Sequence, residues 1–121
     1  MVVAVGQGLY FQKTTMNDPS PDPQPSSFKQ IVRTLIEATP EWWTSATLEL
    51  VAPPEGLGRG VSHLIYNPQH PRDIVVPTED LMAATRELEL ASLAQGDSWR
   101  RCIFRITQEQ DNWRFVAEFE R

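Results

Sequence analysis

Cysteine is almost absent from this chain: its 121 residues include one, Cys102. A single cysteine excludes an intramolecular disulfide, and sparse cysteine is typical of proteins in a reducing compartment. Long apolar runs are missing too, since no stretch approaches the ~20 apolar residues that a membrane-spanning helix needs. The sequence therefore predicts a domain without disulfides or membrane contact, and we expect it to be cytoplasmic.

Basic residues are outnumbered by acidic ones, with 11 Lys and Arg against 16 Asp and Glu and a net charge of −5. Non-specific nucleic-acid binding needs a basic surface, so we expect no direct contact with nucleic acid. The acidity favours solubility, and it also suits a basic protein partner, whose approach an opposite field accelerates. At 121 residues the chain has the size of one domain with its own core.

Sequence patterns that carry chemistry are missing as well. His63 and His70 have no cysteine or carboxylate at a spacing typical of metal ligands. The glycine-rich stretch 56–60 lacks the Lys-Ser/Thr pair of a phosphate-binding loop, which favours a hairpin turn. Cys102 lies on the apolar side of an alternating pattern, which favours a buried, inert thiol. We therefore expect no catalytic, cofactor-binding or metal-binding residues, and a protein that is not an enzyme.

The strongest pattern that is present lies near the C-terminus. Every second residue is apolar from Arg101 to Ile106 and again from Trp113 to Glu120, on both sides of a short polar turn. The positions between them are charged except for Ile103 and Val116. This period of two predicts an antiparallel hairpin with one buried face. Its other face carries charged residues of both signs, which favours cross-strand ion pairs over stacking of nucleic-acid bases; these residues are Arg101, Arg105, Arg114, Glu118 and Glu120.

Two amphipathic helices are predicted before this hairpin. Ser27 would cap the first helix, with Gln30 completing a capping box, and Pro40 ends it. Thr78 would cap the second helix, which Gly96 ends. Alternation between the helices predicts strands over 46–51 and 61–66 and a short third strand over 74–76.

The predicted order α-β-β-(β)-α-β-β indicates an α+β fold. We expect one antiparallel sheet of four to five strands with the two helices packed on one face, because each helix has a single apolar stripe. Glu87 and Glu89 fall outside the stripe of the second helix. The residues predicted for the core are Phe28, Leu35, Leu48, Leu88, Phe104, Phe115 and Phe119.

The N-terminal segment differs in composition from the rest of the chain. Proline occupies every second position from Pro19 to Pro25, a spacing that excludes helix. We predict that residues 1–25 form a disordered proline-rich leader and that 26–121 form a single α+β domain. Either Met1 or Met16 can be the natural start.

Four tryptophans are many for one small domain. Tryptophan is enriched at interface hot spots, but it also fills cores. We expect Trp113 in the core, Trp99 partly buried, and only one of Trp42 and Trp43 available to a partner.

A set of short motifs accompanies the predicted elements: Thr39-Pro40-Glu41-Trp42-Trp43, Glu49, Tyr66-Asn67, Trp99…Cys102-Ile103-Phe104 and Trp113-Arg114-Phe115. With these motifs, the order of elements resembles the YezG-like immunity proteins, antitoxins of LXG-type polymorphic nuclease toxins. The resemblance covers 28–121 and depends on pattern and aromatic placement. It implies a cytoplasmic inhibitor that binds its cognate toxin, often with acidic residues facing a basic active site. The chain departs from the family pattern in its proline leader and its less acidic second helix.

Four residues around the first strand of the domain are the predicted partner-binding set: Glu41, Trp42, Glu49 and Glu55. The expected partner is a cognate protein toxin. The alternative is a small acidic secretion chaperone, which would use apolar surface to hold an extended effector segment. A small-molecule-binding domain is a third possibility, and the sequence leaves the oligomeric state open.

Overall fold

A computed structural model of the chain describes the backbone of residues 2–11, 26–110 and 112–121, and the side chains of 27–110 and 112–121. These ranges contain two helices and six strands. In chain order they are β1 Val2–Phe11, α1 Ser26–Ala38, β2 Ser45–Val51, β3 Ser62–Asn67, β4 His70–Val75, α2 Glu79–Ala94, β5 Arg101–Glu109 and β6 Asn112–Glu120.

The strands form one antiparallel sheet in the order β1-β6-β5-β2-β3-β4. From α1 onward the elements follow the order α-β-β-β-α-β-β, which confirms the predicted α+β class and its antiparallel sheet. This part of the chain supplies five strands, and β1 adds a sixth at one edge. Strand β4, which corresponds to the short strand predicted over 74–76, is longer than expected and begins at His70.

Strand β1 lies in the segment that was predicted to be a disordered leader. Its residues pair with β6 from Val2 opposite Glu120 to Phe11 opposite Asn112. The expectation of a disordered leader is therefore wrong for Val2–Phe11. The physical reason is composition, because β-branched and aromatic residues that favour strands are frequent here, whereas the alternating prolines begin only at Pro19. Those prolines lie outside the described residues.

Both helices pack on the same face of the sheet and against each other. Thr78 caps α2 as predicted, since its Oγ1 accepts a hydrogen bond from the Leu81 N–H at 3.1 Å. Helix α1 begins at Ser26, so Ser27 lies inside the helix and is not its cap. Within the described part of the chain, neither helix is long and apolar enough to cross a membrane.

Aromatic contacts fix α1 on the hairpin of β5 and β6. The Phe28 ring packs edge-to-face against Phe104, with 5.5 Å between ring centroids, and lies 6.0 Å from Phe119 in a stacked arrangement. Such arrangements contribute beyond the burial of area alone. All residues predicted for the core are buried: Phe28, Leu35, Leu48, Leu88, Phe104, Phe115 and Phe119.

The tryptophans divide largely as expected. Trp113 is buried in the core, and of the adjacent pair Trp43 is buried while Trp42 is exposed, so both predictions are confirmed. Trp99 is more buried than predicted. Its indole N–H donates to the Ser92 hydroxyl of α2 at 3.0 Å, which lets the ring enter the core without losing its hydrogen bond.

Candidate functional site

The sheet face turned away from the helices is here called the open face. Residues directly opposite on neighbouring strands share a face, so pairing aligns the side chains of this face in rows across the sheet. One row runs from Glu118 through Ile103 and Glu49 to Leu64. The open face therefore combines charged and apolar side chains, and no helix of the described chain covers it.

Ion pairs cover the part of the open face formed by β2, β5 and β6. Arg101 Nη2 lies 2.8 Å from Glu49 Oε1, and Arg105 pairs with Glu118. The hydrogen bond to Glu49 raises the pKa of the Arg101 guanidinium. Ile103 is buried although it lies on this face, and the long charged side chains beside it supply that cover. The predicted ion-paired face of the hairpin is thereby confirmed.

The part of the open face formed by β3 and β4 is apolar and exposed. We call Leu64 of β3 and Ile74 of β4 on this face, together with the exposed Val76 just after β4, the β3–β4 patch; their exposed fractions are 41, 59 and 83%. Leu64 lies opposite Glu49, and Ile74 lies opposite Tyr66. Isolated exposed apolar residues are ordinary, whereas neighbouring ones indicate an interaction surface.

A polar network borders this patch. The Tyr66 hydroxyl donates to Glu49 Oε2 at 3.2 Å, while Arg101 binds the other oxygen of the same carboxylate. Tyrosine and arginine are enriched at protein interfaces, where an apolar centre is surrounded by a polar rim. The arrangement is suited to contact with another protein.

The predicted partner-binding residues do not form one cluster. Glu49 borders the β3–β4 patch, in the middle of β2. Glu41 and Trp42, the latter 63% exposed, lie in the turn before β2, whereas Glu55 lies in the loop after it. Strand β2 has seven residues and is therefore about 20 Å long, so these two groups lie at opposite ends of it. Their contact with a partner stays a prediction.

A buried carboxylate on α2 escaped the sequence analysis. Glu89 is 1% exposed, and its Oε2 accepts the N–H groups of Gly58 at 2.6 Å and Gly60 at 3.0 Å. Its Oε1 accepts a hydrogen bond from Arg86 at 2.8 Å. The carboxylate thus attaches the β2–β3 loop to α2. The available signal was the glycine-rich stretch 56–60, whose backbone N–H groups need an acceptor.

The protonation state of Glu89 follows from these bonds. Burial alone would raise the pKa of Glu89, but the hydrogen bonds from Gly58, Arg86 and Gly60 together hold it below its ordinary value. The group therefore stays charged near neutral pH. Gly58 has a φ of +106°, and an added Cβ would meet Leu93 Cδ1 at 3.0 Å, so this position requires glycine.

His63 of β3 also contacts α2. Its Nε2 lies 2.8 Å from Thr85 Oγ1, and the ring is half-buried. Burial lowers the pKa of His63, although a hydrogen bond with the Val61 backbone and the charge of Glu89 act in the opposite direction. The neutral imidazole is the form that the fold favours.

We expect the protein to lose stability as pH falls, because His63 becomes protonated. A histidine whose folded pKa is lowered contributes fully above its unfolded value of about 6.5, and the contribution is lost as pH falls through the folded value. His63→Gln should therefore reduce the loss of unfolding free energy between pH 7.5 and pH 5, measured by urea denaturation. The exposed His70→Gln is the control and should leave the wild-type loss in place. An unchanged pH dependence in His63→Gln would contradict this assignment.

Neither a metal centre nor a reactive thiol is found among the described residues. They contain no group of three or more His, Cys, Asp and Glu side chains arranged to hold a metal ion. The Cys102 thiol is buried, as predicted, and burial raises its pKa, which favours the unreactive protonated form. A cavity of about 700 Å³ between α1 and α2 is a groove lined mainly by small and polar residues, among them Gln30, Ala83 and Glu87.

Comparison of the chain with protein-family models, with curated proteins and with solved structures gives no match. The resemblance to immunity proteins therefore depends on the motifs in the sequence alone. Function has to be inferred from those motifs and from the geometry of the open face.

Proposed function

We propose that this chain is an immunity protein, a cytoplasmic antitoxin that binds and neutralises a cognate secreted nuclease toxin. The observation that carries the protein-binding part is the exposed β3–β4 patch with its border of Tyr66, Glu49 and Arg101. The resemblance to YezG-like immunity proteins supports the part of the proposal that concerns a toxin.

Charge supports a basic partner. Glu41 and Glu55 are exposed and take part in none of the ion pairs found within 27–110 and 112–121. Exposed rim charges act mainly on the rate of association, and salt screens them. We expect Glu41→Lys and Glu55→Lys each to slow association with the toxin, more at low than at high salt, in surface plasmon resonance. Equal rates for wild type and both variants would remove these residues from the contact.

Co-expression tests the proposed function directly. Cells that carry the neighbouring toxin gene should survive only when this protein is present, and the two purified proteins should form a complex. If the protein does not bind that gene product and the cells survive without it, the immunity function is wrong.

The β3–β4 patch should contribute strongly to toxin affinity. Leu64→Asp and Ile74→Asp each place a charge in the proposed contact, and we expect each to weaken binding at least ~30-fold, the loss typical of an interface hot spot. Isothermal titration calorimetry measures the affinity, and circular dichroism verifies the fold. Met82→Asp, at a comparably exposed residue of α2, is the matched control and should bind like wild type. Wild-type affinity in both patch variants would mean that the toxin binds elsewhere.

A secretion chaperone is the second candidate function, and one observation favours it. Helix α2 also exposes large apolar side chains, namely Met82, Leu90 and Leu93. A chaperone would use such surfaces to hold an extended segment of its effector. Binding to the unfolded N-terminal segment of the neighbouring gene product, without binding to its folded domain, would favour the chaperone over the immunity protein.

A further inference from the structure

We propose that the outer edge of β6 is a strand-acceptor site for an extended segment of a partner protein, and that β1 occupies this site until the segment replaces it. Strand addition to a sheet edge is a general mode of protein recognition. The inference requires a protein partner but does not depend on that partner being a toxin.

The position of β1 allows it to leave. It lies at one end of the sheet order and pairs with β6 alone. Fourteen residues, 12–25, connect it to α1, so its departure would not break the order of the other five strands. The edge of β6 would then present unpaired N–H and C=O groups along nine residues, which is a template for another strand.

The sequence of β1 also makes it a weak occupant. Gly6 lies opposite Ala117, and Gly8 lies opposite Phe115. Ala117 and Phe115 are buried on the helix-covered face, and residues directly opposite share a face, so β1 supplies no side chain at two positions on that face. Glycine inside a strand weakens pairing, and a register shift between Ala4 and Gly6 interrupts it further.

The covalent connection of β1 to the domain determines how tightly a competing strand must bind to β6. Fourteen residues connect β1 to α1, and connections this short give effective concentrations on the order of millimolar. A partner segment present at about 10 µM therefore needs about 100-fold higher intrinsic affinity for the edge. Valine or isoleucine opposite Ala117 and Phe115 would add buried apolar area and strand preference at both positions. A second copy of β1 has the same sequence and lacks this advantage, so a partner segment is the favoured occupant.

The other edge of the sheet is less suited to the same role. Strand β4 pairs with β3 at only three positions, with a register shift, and it contains Pro71, which has no N–H to donate. Proline, irregular pairing and exposed charges such as Arg72 protect an edge against strand addition. Strand β6, by contrast, pairs with β5 without a register shift from Asn112 to Glu120.

Peptides provide the test with the full chain and without any toxin. The probes are a fluorescent peptide of residues 1–12 and the same peptide with Gly6→Val and Gly8→Val; a scrambled peptide is the control. We expect the substituted peptide to bind at least ~10-fold tighter than the native peptide, because it fills the two positions. A chain with Gly6→Val and Gly8→Val in its own β1 should bind the substituted peptide at least ~10-fold more weakly than wild type does.

A second variant of the protein keeps the proposal falsifiable if wild-type β1 is hard to displace. Gly8→Pro in the chain's own β1 removes a strand N–H and should strengthen binding of both peptides. Binding at β6 is verified by hydrogen exchange, where the amides of 112–120 should be protected by the peptide. The proposal is overturned if the peptides bind neither the wild-type protein nor the Gly8→Pro variant. It is also overturned if a bound peptide protects amides outside 112–120. A concentration-dependent dimer that the substituted peptide does not dissociate would also overturn it, in favour of strand exchange between copies.

Discussion

Truncation of Phe104 to alanine should lower the free energy of unfolding by about 3–5 kcal/mol, the range for large aromatic residues in a packed core. Phe104 is fully buried on β5, and its ring makes the edge-to-face contact that holds α1 on the hairpin. Alanine would leave a cavity at the centre of the contact between helix and sheet, where the backbone of β5, paired on both sides, has little freedom to close it.

Urea denaturation at neutral pH measures this loss. Val116→Ala is the matched control, because Val116 lies on the same hairpin but on the open face and is only half-buried; we expect it to cost less than about 1.5 kcal/mol. A loss below about 1 kcal/mol at Phe104 would mean that the alternation of β5 was assigned to the wrong faces.

Replacement of Glu89 by alanine should lower the free energy of unfolding by about 3 kcal/mol. The change removes the acceptor for the N–H groups of Gly58 and Gly60 and for Arg86. A donor left without an acceptor in a partly buried position costs about 1–3 kcal/mol, and the Gly58 and Gly60 bonds are both partly buried. The lost ion pair adds less, because the Arg86 side chain is about half exposed. Glu87→Ala is the control on the same helix, since Glu87 is exposed, and a similar loss there would contradict the role given to Glu89.

The pH dependence of stability gives an independent measurement of the same contact. The folded-state pKa of Glu89 is lowered by its hydrogen bonds, so its stabilisation is present above the ordinary value of about 4.3 and is lost as pH falls through the folded value. Glu89→Gln cannot titrate and should lose less stability than wild type between pH 5 and pH 3. Identical acid profiles for the two proteins would mean that folding does not lower the pKa of Glu89.

Local periodicity was sufficient for the framework of the fold. The spacing of Phe28 and Leu35 on α1 and the alternation around Phe104 identified buried faces correctly, because helix and strand geometry determine which side chains share a face. Thr78 likewise indicated the start of α2, because its capping hydrogen bond joins residues only three positions apart.

Features that depend on distant residues were not accessible in this way. Strand β1 forms because β6, about a hundred residues later, offers an edge, and nothing within Val2–Phe11 indicates that partner. Glu89 lies at the border of the helix stripe and is buried because Gly58, 31 residues earlier, returns to meet it. Local patterns describe which face a residue occupies, whereas these contacts depend on where two separate segments meet.

Only part of the candidate site was predicted, because the rest of it also depends on contacts between distant segments. Alternation places Glu49 on the open face, but its pairing with Arg101, 52 residues later, was not foreseen. The β3–β4 patch combines residues of two strands and of the segment after them, and its exposure depends on the absence of a covering helix. Predicting it would have required the order of the strands in the sheet.

The pairing of β1 with β6 has a consequence for folding during synthesis. Phe11 lies opposite Asn112, so the ribosome must add about a hundred residues before β1 meets its neighbour. At ~5–20 residues per second this takes on the order of 5–20 s, much longer than formation of a local hairpin. During that interval the nascent β1 is available to any extended strand nearby, including one from a neighbouring ribosome. Slower translation of the segment between the two strands would lengthen this exposure without changing a single contact of the finished sheet.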